Sequence, residues 1–394
     1  MQRLLRRAAC LGLVSTVAFA SWAAAGDAAR RTANQQLRVA IVIPRTGPFS
    51  IHNRLIANGA TVAAREINAQ GTGKAPVRLK LKVLTVKPTA SPKPIVRSLA
   101  RASTRILILP CNVDLQESLA RAAGKAGLLT VSPCNADANL AKTVPRYWPT
   151  GTTGAAEAMQ LAYYAQSYAH AKTAFVLGDH SWYGRQMSPE LRTFAKREKI
   201  NIVGQASAPA GYGGVEQLAK RMRKLKPAVV FATVPSPRVE TIITQLRNWG
   251  VASAFYVTDG MDAAINFLKY RNGADNSSIE NVLFATFGFP RPGSGPFYRD
   301  YAAAYGKKPV GSFPGLGYET VQALEAAARR AAALTPTGLN ASFAKGFTVR
   351  GVVLEDISYR GHGHRQPVTQ VGLAQVIRDG YVALFTSEAG HPTG

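Results

Sequence analysis

The fold is decided by a stretch near the start of the chain, residues 38–68, which has the sequence RVAIVIPRTGPFSIHNRLIANGATVAAREIN. The β-branched run at residues 37–43 predicts a strand, and the loop at residues 44–50 contains Gly, Pro and Phe49. Residues 53–68 predict a helix, because apolar side chains recur there at helical spacing: Leu55, Ala60, Val62, Ala63 and Ile67. A strand, a loop and a helix in this order form the first step of a parallel α/β sheet.

The alternation of strand and helix continues in two series, with roughly 30 residues for each step. The first series predicts the strands 77–86, 106–109 and 128–131 and the helices 94–104 and 113–125. A stretch rich in Pro, Gly and Thr follows at residues 145–154. The second series predicts the strands 173–177, 200–203, 228–233, 254–258 and 282–285 and the helices 155–168, 186–198, 214–225 and 238–248. Two sheets of mainly parallel strands are the expected result.

The last third of the chain has a different pattern. Residues 297–305 and 318–333 predict two Ala-rich helices that suit packing on a sheet. Residues 352–357 and 368–376 predict strands, and the Gly- and His-rich residues 360–366 between them predict a hairpin loop.

Returning each late element to an earlier sheet divides the chain into two lobes. The first lobe comprises residues 37–149 and 288–358, and the second comprises residues 150–287 and 367–388. The chain then crosses between lobes three times, which leaves a cleft between them. We expect a ligand at the carboxyl ends of the parallel strands, where backbone N–H groups and helix N-termini point outward.

Composition limits the class of protein. The 394 residues are 46% hydrophobic and 18% charged, which permits two cores and excludes disordered and collagen-like chains. Lys and Arg number 48 against 22 acids, a net charge of +26. These cations are spread over many helices without a long basic run, so nucleic acid is not expected as a partner. The surplus indicates a positive face that attracts anionic ligands or envelope surfaces, or else a general bias toward basic residues.

The first 25 residues predict a secretory signal peptide. They have a basic start, an apolar stretch and small side chains at Ala23 and Ala25, so we expect cleavage near Ala25. An uncleaved membrane anchor is the alternative. Cys10 lies too close to the N-terminus for lipid attachment, and no later run reaches the ~18 apolar residues of a membrane span. A periplasmic location and a monomeric state are the expectations.

Two cysteines, Cys111 and Cys134, remain after the signal segment. Each follows a predicted strand, and neighbouring parallel strands lie ~4.8 Å apart, so the two residues can reach disulfide distance. Closing this loop adds about 3 kcal/mol in the chain-entropy model. Two buried free thiols, or a metal-binding or nucleophilic role, are the alternatives.

Three residues after strands of the second series are candidate ligand contacts. Asp259 follows an apolar strand and can meet a cation in the cleft, although an aspartate before a glycine also favours a turn. Tyr183 and Trp182 can cover a ligand, and we expect Tyr183 to make the contact with Trp182 behind it.

Motifs for catalysis and metal binding are absent from the sequence. It contains no Gly-x-Ser-x-Gly elbow, phosphate loop, Gly-x-Gly-x-x-Gly fingerprint or His-Glu-x-x-His pair. His362 and His364 have a spacing that zinc can use, but no third ligand is near in sequence, so a solvated turn is the expectation. The sequence therefore predicts no enzyme, no cofactor and no metal, with a secreted hydrolase as the remote alternative.

Four segments together resemble a known family. They are residues 38–68, residues 128–137 (LLTVSPCNAD), residues 178–184 (GDHSWYG) and residues 307–324 (KKPVGSFPGLGYETVQAL). In order and spacing they resemble the periplasmic leucine/isoleucine/valine-binding proteins, the substrate-binding components of ABC importers. This resemblance implies a type I periplasmic binding fold, with two Rossmann-like lobes that are joined by a three-strand hinge and close on a ligand.

The resemblance also implies where the ligand binds. On the first lobe the family positions hold Cys111, Asn112, Asn135 and Ala136 in place of the family's hydroxyl donors. On the second lobe the covering aromatic matches Tyr183, the carboxylate that pairs with a ligand ammonium matches Asp259, and a family tyrosine matches Pro235. The predicted ligand site consists of these seven residues together with Phe49 and Trp182.

The implied function is to deliver a solute to an ABC permease in the inner membrane. Asp259 keeps the family's acid, whereas Asn112 and Asn135 stand where the family has hydroxyl donors. Because Asn side chains can both donate and accept hydrogen bonds, we expect a small polar or amino-acid-like ligand. Closure of the hinge stabilises the form that the permease recognises. A ligand-sensing receptor with the same fold is the alternative.

Overall fold

The computed structural model describes residues 36–47, 49–70, 77–111, 113–134, 139–209, 211–262, 276–353, 356–360 and 370–388. The predicted signal segment with Cys10, and the pair His362 and His364, lie outside these residues. Among the helices that the structure describes, none combines the length and the apolar composition that crossing a membrane requires.

The first lobe is built on a five-stranded parallel sheet with the order β2-β1-β3-β4-β5. Its strands are β1 (Gln36–Pro44), β2 (Arg78–Val86), β3 (Ile106–Ile108), β4 (Leu129–Ser132) and β5 (Tyr147–Pro149). The helices between them are α1 (Ser50–Ala69), α2 (Pro92–Arg101), α3 (Asp114–Lys125) and α4 (Asn139–Thr143).

Strand β1 lies inside this sheet and is buried on both faces. Val39 and Ile41 point into a core with α1, whereas Ala40 and Val42 point into a second core with α2 and α3. Helices on both faces explain why β1 has a continuous apolar run rather than an alternating pattern.

The second lobe is built on a seven-stranded sheet with the order β14-β13-β10-β9-β8-β6-β7. Its parallel strands are β6 (Thr173–Gly178), β7 (Asn201–Ser207), β8 (Val229–Ala232), β9 (Ala254–Val257) and β10 (Leu283–Thr286). The antiparallel strands β13 (Gln370–Ile377) and β14 (Gly380–Glu388) extend the sheet beyond β10. The helices are α5 (Gly154–Ser167), α6 (Trp182–Arg197), α7 (Tyr212–Leu225) and α8 (Arg238–Asn248).

The chain crosses between the two sheets three times, after β5, after β10 and before β13. Between the last two crossings lie α9 (Gly295–Tyr305), α10 (Phe313–Arg330), α11 (Pro336–Lys345), β11 (Phe347–Arg350) and β12 (Asp356–Tyr359). Apolar residues from all five elements join the α1 side of the first core. The expected α/β fold with two lobes and three crossings is confirmed.

A close contact between α1 and α10 depends on two glycines. A Cβ atom at Gly59 would lie 1.7 Å from the carbonyl oxygen of Pro314, and one at Gly317 would lie 1.9 Å from that of Ile56. Each helix therefore places its backbone where a side chain of the other would stand, and the two helices pack without a gap.

Strand pairing near the C-terminus differs from the sequence prediction. Residues 352–357 and 368–376 were expected to form one hairpin, but β11 pairs with β12 and β13 pairs with β14. The prediction of that hairpin is wrong because β12 and β13 belong to different sheets. The expected loop lies mostly outside the described residues. The short elements β5 and α4 were not predicted, since three and five residues are too few to show a period, and the ten-residue α11 was also missed.

Candidate functional site

The disulfide between Cys111 and Cys134 is present, as the sequence predicted. The two Cα atoms are 5.7 Å apart, and both residues are fully buried. Because Cys111 follows β3 and Cys134 follows β4, the bridge ties together two loops at the carboxyl ends of neighbouring strands. Asn112, Asn135 and Ala136 lie in these loops but outside the described residues.

Asn53 joins the start of α1 to the disulfide. Its Nδ2 donates to the carbonyl oxygens of Phe49, at 2.8 Å, and Cys111, at 3.0 Å. Its Oδ1 accepts from the backbone N–H of Cys111 at 2.7 Å. This buried amide satisfies the carbonyl and the N–H of Cys111, which no strand or helix pairs, and adds to the bond that the Asn53 N–H already makes to the Phe49 carbonyl. Sequence reasoning missed Asn53, because its role depends on a residue 58 positions away.

Phe49 precedes α1 with a left-handed backbone, φ 60°, and its side chain is buried. The ring centroid lies 4.8 Å from that of Tyr183 at the start of α6. Trp182 and Met187 of α6 join these rings in one small apolar cluster. The cluster joins the two lobes, and we call it the interlobe seam.

Helix α6 begins at Trp182, four residues before the predicted start, because Ser181 caps it. Ser181 Oγ accepts from the backbone N–H of Gly184 at 3.0 Å. Asp179 Oδ1 in turn accepts from the N–H of Ser181 at 3.0 Å. This cap turns Tyr183 into the seam, where it is fully buried.

Two buried carboxyl groups lie behind Tyr183 on the second lobe. The Tyr183 hydroxyl donates to the carboxylate of Asp259, and the backbone N–H of Asp259 donates to Glu157 Oε1 at 2.5 Å. Burial and then the charge of Asp259 raise the pKa of Glu157 well above its ordinary value. Burial, followed by the charges of Asp259 and Glu157, also raises the pKa of Tyr183. This second-lobe face of the seam is thus a buried site of negative potential.

Asp259 itself is the first residue of a short 3₁₀ turn, Asp259–Met261, directly after β9. The alternative that Asp259 is a turn residue is therefore confirmed, and its role as a ligand carboxylate stays a prediction. Glu157 was missed, because it lies in the first turn of α5, 102 residues before its partner.

Pro235 follows β8 and lies next to the turn that begins at Asp259. A Cβ atom at Gly260 would lie 3.2 Å from Pro235 Cα and 3.3 Å from Phe49 Cζ, so these three residues converge at the seam. Behind Pro235, the Ser236 hydroxyl donates to the buried carboxyl group of Glu240. Burial raises the pKa of Glu240 to about 7, although the Ser236 hydrogen bond opposes this.

Asp262 connects the two lobes beside the seam. Its Oδ2 accepts from the Thr286 hydroxyl at 2.9 Å, at the end of β10. The same oxygen accepts from the backbone N–H of Ser312 at 3.0 Å and from the Ser312 hydroxyl, directly before α10. Burial raises the pKa of Asp262, and these hydrogen bonds oppose the increase. A second link between the lobes is exposed, from Arg185 Nη2 to Asp114 Oδ1 at 3.1 Å.

His52 is a further seam residue that the sequence did not reveal. Its ring centroid lies 4.9 Å from that of Phe49 and 4.6 Å from that of Phe313, and the side chain is buried. Burial lowers the pKa of His52 to about 3, against an opposing effect of the Gly260 backbone. The imidazole is therefore neutral at neutral pH.

Comparison with known proteins relates this geometry to solved structures. A family model described as periplasmic binding protein matches residues 36–381. No curated protein sequence matches the chain. A leucine-binding protein from Thermotoga maritima is 18% identical with a TM-score of 0.76, covering 89% of this chain and 98% of its own.

Two further structures are similar to the same extent. A branched-chain amino acid transporter substrate-binding protein from Streptococcus pneumoniae, in complex with isoleucine, is 17% identical, with a TM-score of 0.76 and coverage of 90% and 99%. A solute-binding protein of an ABC transporter from R. palustris, in complex with benzoate, is 16% identical, with a TM-score of 0.75 and coverage of 91% and 97%. At these identities the structures share the fold, and they bind chemically different solutes.

Proposed function

Because this chain belongs to the periplasmic binding protein family, we propose that it binds a small amine-bearing solute between its lobes and presents it to an ABC importer. The observation behind this choice is the pair of buried carboxyl groups, Glu157 and Asp259, at the seam. The family includes solute-binding proteins rather than enzymes, and we propose that the solute leaves unchanged.

A cationic group on the ligand suits this face. A buried carboxylate is stabilised by an opposite charge within ~4–6 Å, whereas an anionic ligand adds repulsion to the unfavourable burial of Glu157. We propose that Asp259 holds the ligand ammonium group, that the Tyr183 hydroxyl orients this carboxylate, and that Glu157 fixes the backbone of Asp259. An aromatic acid without an amine, such as benzoate, fits this arrangement poorly.

The first lobe supplies the opposite face in this proposal. The disulfide and Asn53 fix the neighbouring Cys111 and Cys134, and we propose Asn112, Asn135 and Ala136, which follow these cysteines in sequence, for the ligand's other polar groups. Phe49, Trp182 and Pro235 enclose the ligand, and the lobe boundaries are those proposed from the sequence. A periplasmic location, a cleaved signal peptide and a monomeric state complete the proposal.

Contacts across the seam support closure of the lobes as the mechanism. Phe49 packs on Tyr183, Asp262 accepts from Ser312, and Arg185 pairs with Asp114. An open form loses these contacts. To convert a population from mostly open to mostly closed, the ligand must favour the closed form by about 5.5 kcal/mol. A buried ammonium–carboxylate pair and aromatic burial can supply a preference of that order.

The test is a binding screen on the chain that begins at Gly26. We expect leucine, isoleucine or another amine-bearing solute to raise the melting temperature, and benzoate and sugars to leave it unchanged. Asp259→Asn keeps the shape and removes the charge, so calorimetry should show amine affinity weakened about tenfold or more. The control is Asp356→Asn, since Asp356 is an exposed acid paired with Arg291. Tight binding of benzoate alone, unchanged in Asp259→Asn, would refute the proposed ligand class.

A further inference from the structure

A groove between α2 and α3 on the first lobe is independent of the interlobe seam. It encloses about 540 Å³, and its floor is formed by apolar side chains, among them Val96, Ala100 and Ala122. Its rims are cationic: Lys93 and Arg97 lie one turn apart on α2, and Arg121 and Lys125 lie one turn apart on α3. Neither rim contributes an acidic side chain to the lining.

The rim cations are largely uncompensated. Arg121 pairs with Glu117 one turn before it, at 2.8 Å. Lys93, Arg97 and Lys125 are exposed and form no ion pair within the part of the chain that the structure describes. An apolar floor between two rows of like charge is the pattern of a protein interface, with a dry centre and a charged rim.

We propose that this groove is a docking site for an acidic amphipathic helix of another protein. An apolar stripe on that helix covers the floor, and acidic side chains on both flanks meet the four rim cations. The rows match such a helix because residues four apart on a helix lie on one side, about 6 Å from each other.

A helix suits the groove better than an extended strand. The surface is made of side chains on two helices whose backbone groups are already paired within each helix, so it offers no main-chain partners for an added strand. A helix brings its own backbone hydrogen bonds and needs only side-chain contacts.

Charge excludes the occupants that this chain could supply itself. A second copy is repelled, because each chain has a net charge of +26. Residues 1–35 contain five arginines and one aspartate, so this segment does not complement a cationic rim. A flat anionic membrane would contact only the rim cations and leave the apolar floor of the groove exposed to water. A helix covers both, so we favour a helix over a lipid surface.

The test uses the chain that begins at Gly26 and a labelled synthetic peptide of ~18 residues, about five turns, with a leucine stripe flanked by glutamates. Fluorescence anisotropy should show saturable binding that weakens with salt. A peptide of the same composition with its leucines scattered around the helix should bind at least about tenfold more weakly.

Variants locate the binding. Lys93→Glu with Arg97→Glu should weaken the peptide at least about tenfold, whereas Lys196→Glu with Lys224→Glu, which makes the same charge change on exposed second-lobe helices, should have little effect. Ala100→Arg adds a cation while filling the floor, so it should weaken binding if the groove seats the helix, and strengthen it if charge alone acts. Equal melting temperatures of these variants establish that they are folded.

Four results would overturn the proposal. They are no peptide binding, whether or not phosphatidylglycerol vesicles bind the groove, equal binding of the scattered peptide, affinity that both groove variants leave unchanged, and stronger binding by Ala100→Arg. None of these outcomes depends on the solute, so failure here leaves the proposed transport function standing.

Discussion

The two faces of the interlobe seam are held in place by different chemistry. On the first lobe, a disulfide and the neutral amide of Asn53 fix the backbone near Phe49 and Cys111. On the second lobe, the buried carboxyl groups of Glu157 and Asp259 lie behind Tyr183, and burial makes their charge costly. The first face is therefore stable without a ligand, whereas the second gains stability when a cation arrives.

Removing Asn53 is the strongest way to break the first face. In Asn53→Ala, the carbonyl and the N–H of Cys111 lose their buried partner, which should cost about 4 kcal/mol, whereas the Phe49 carbonyl keeps its bond from the N–H of residue 53. Urea unfolding measures this loss. Asn58→Ala is the control, because Asn58 makes one long bond of 3.4 Å to the Tyr301 hydroxyl. Equal losses in both variants would show that Asn53 has no special role.

Removing the disulfide should have the next largest effect. Its loop spans 23 residues, so Cys111→Ala with Cys134→Ala should lower the free energy of unfolding by about 3 kcal/mol in the chain-entropy model. The wild-type chain should lose a similar amount in dithiothreitol, and the double variant should not respond to the reductant. A wild-type chain indifferent to reductant would contradict the prediction.

Glu240 should give the second lobe a pH dependence opposite in sign to that of His52 on the first lobe, whose lowered pKa makes folding more favourable as the pH rises toward 6.5. Glu240 has a folded-state pKa of about 7 against an ordinary 4.5, so between these values the folded chain keeps a proton that the unfolded chain releases. The stabilisation is complete below pH 4.5 and is lost as the pH rises toward 7.

Chemical unfolding at pH 5 and pH 7 measures this difference. The wild-type chain should lose about 2 kcal/mol relative to Glu240→Gln over that interval, because one pKa unit corresponds to 1.36 kcal/mol. The stability difference between wild type and Asn53→Ala should stay constant over that interval, because this variant keeps Glu240, and this separates the two lobes. Parallel pH curves for wild type and Glu240→Gln would contradict the assignment.

The smallest effect should come from the exposed link between the lobes. Arg185 and Asp114 are both more than half exposed, so Arg185→Ala should change the free energy of unfolding by less than about 0.5 kcal/mol. A double-mutant cycle with Asp114→Ala gives the pair's own energy. A coupling above about 1 kcal/mol would mean that closure depends on this surface pair.

The sequence predicted the parts of the molecule that depend on local pattern. The apolar run of β1 and the alternation of strands and helices after it predicted the two-lobed α/β fold, because these patterns are formed by neighbouring residues. The disulfide could be predicted because each cysteine follows one of two successive strands. The resemblance gave Tyr183 and Asp259 as site residues, and the structure brings them together.

The residues that the sequence missed depend on contacts between distant segments. Glu157 meets Asp259 across 102 positions, and Ser312 meets Asp262 across 50. A glutamate in a first helical turn and an aspartate after a strand are also ordinary capping residues, so nothing local distinguishes them. The wrong hairpin at the C-terminus has the same origin, since strand partners were chosen by the tertiary fold.

The paired glycines of α1 and α10 determine how motion spreads through the first lobe. Ser312, whose N–H donates to Asp262, directly precedes α10. The backbones of α10 and α1 are in close contact at Gly317 and Gly59, and α1 begins directly after Phe49. When the contact between Asp262 and Ser312 forms or breaks, α10 and α1 therefore move together as one rigid body, and the displacement reaches Phe49.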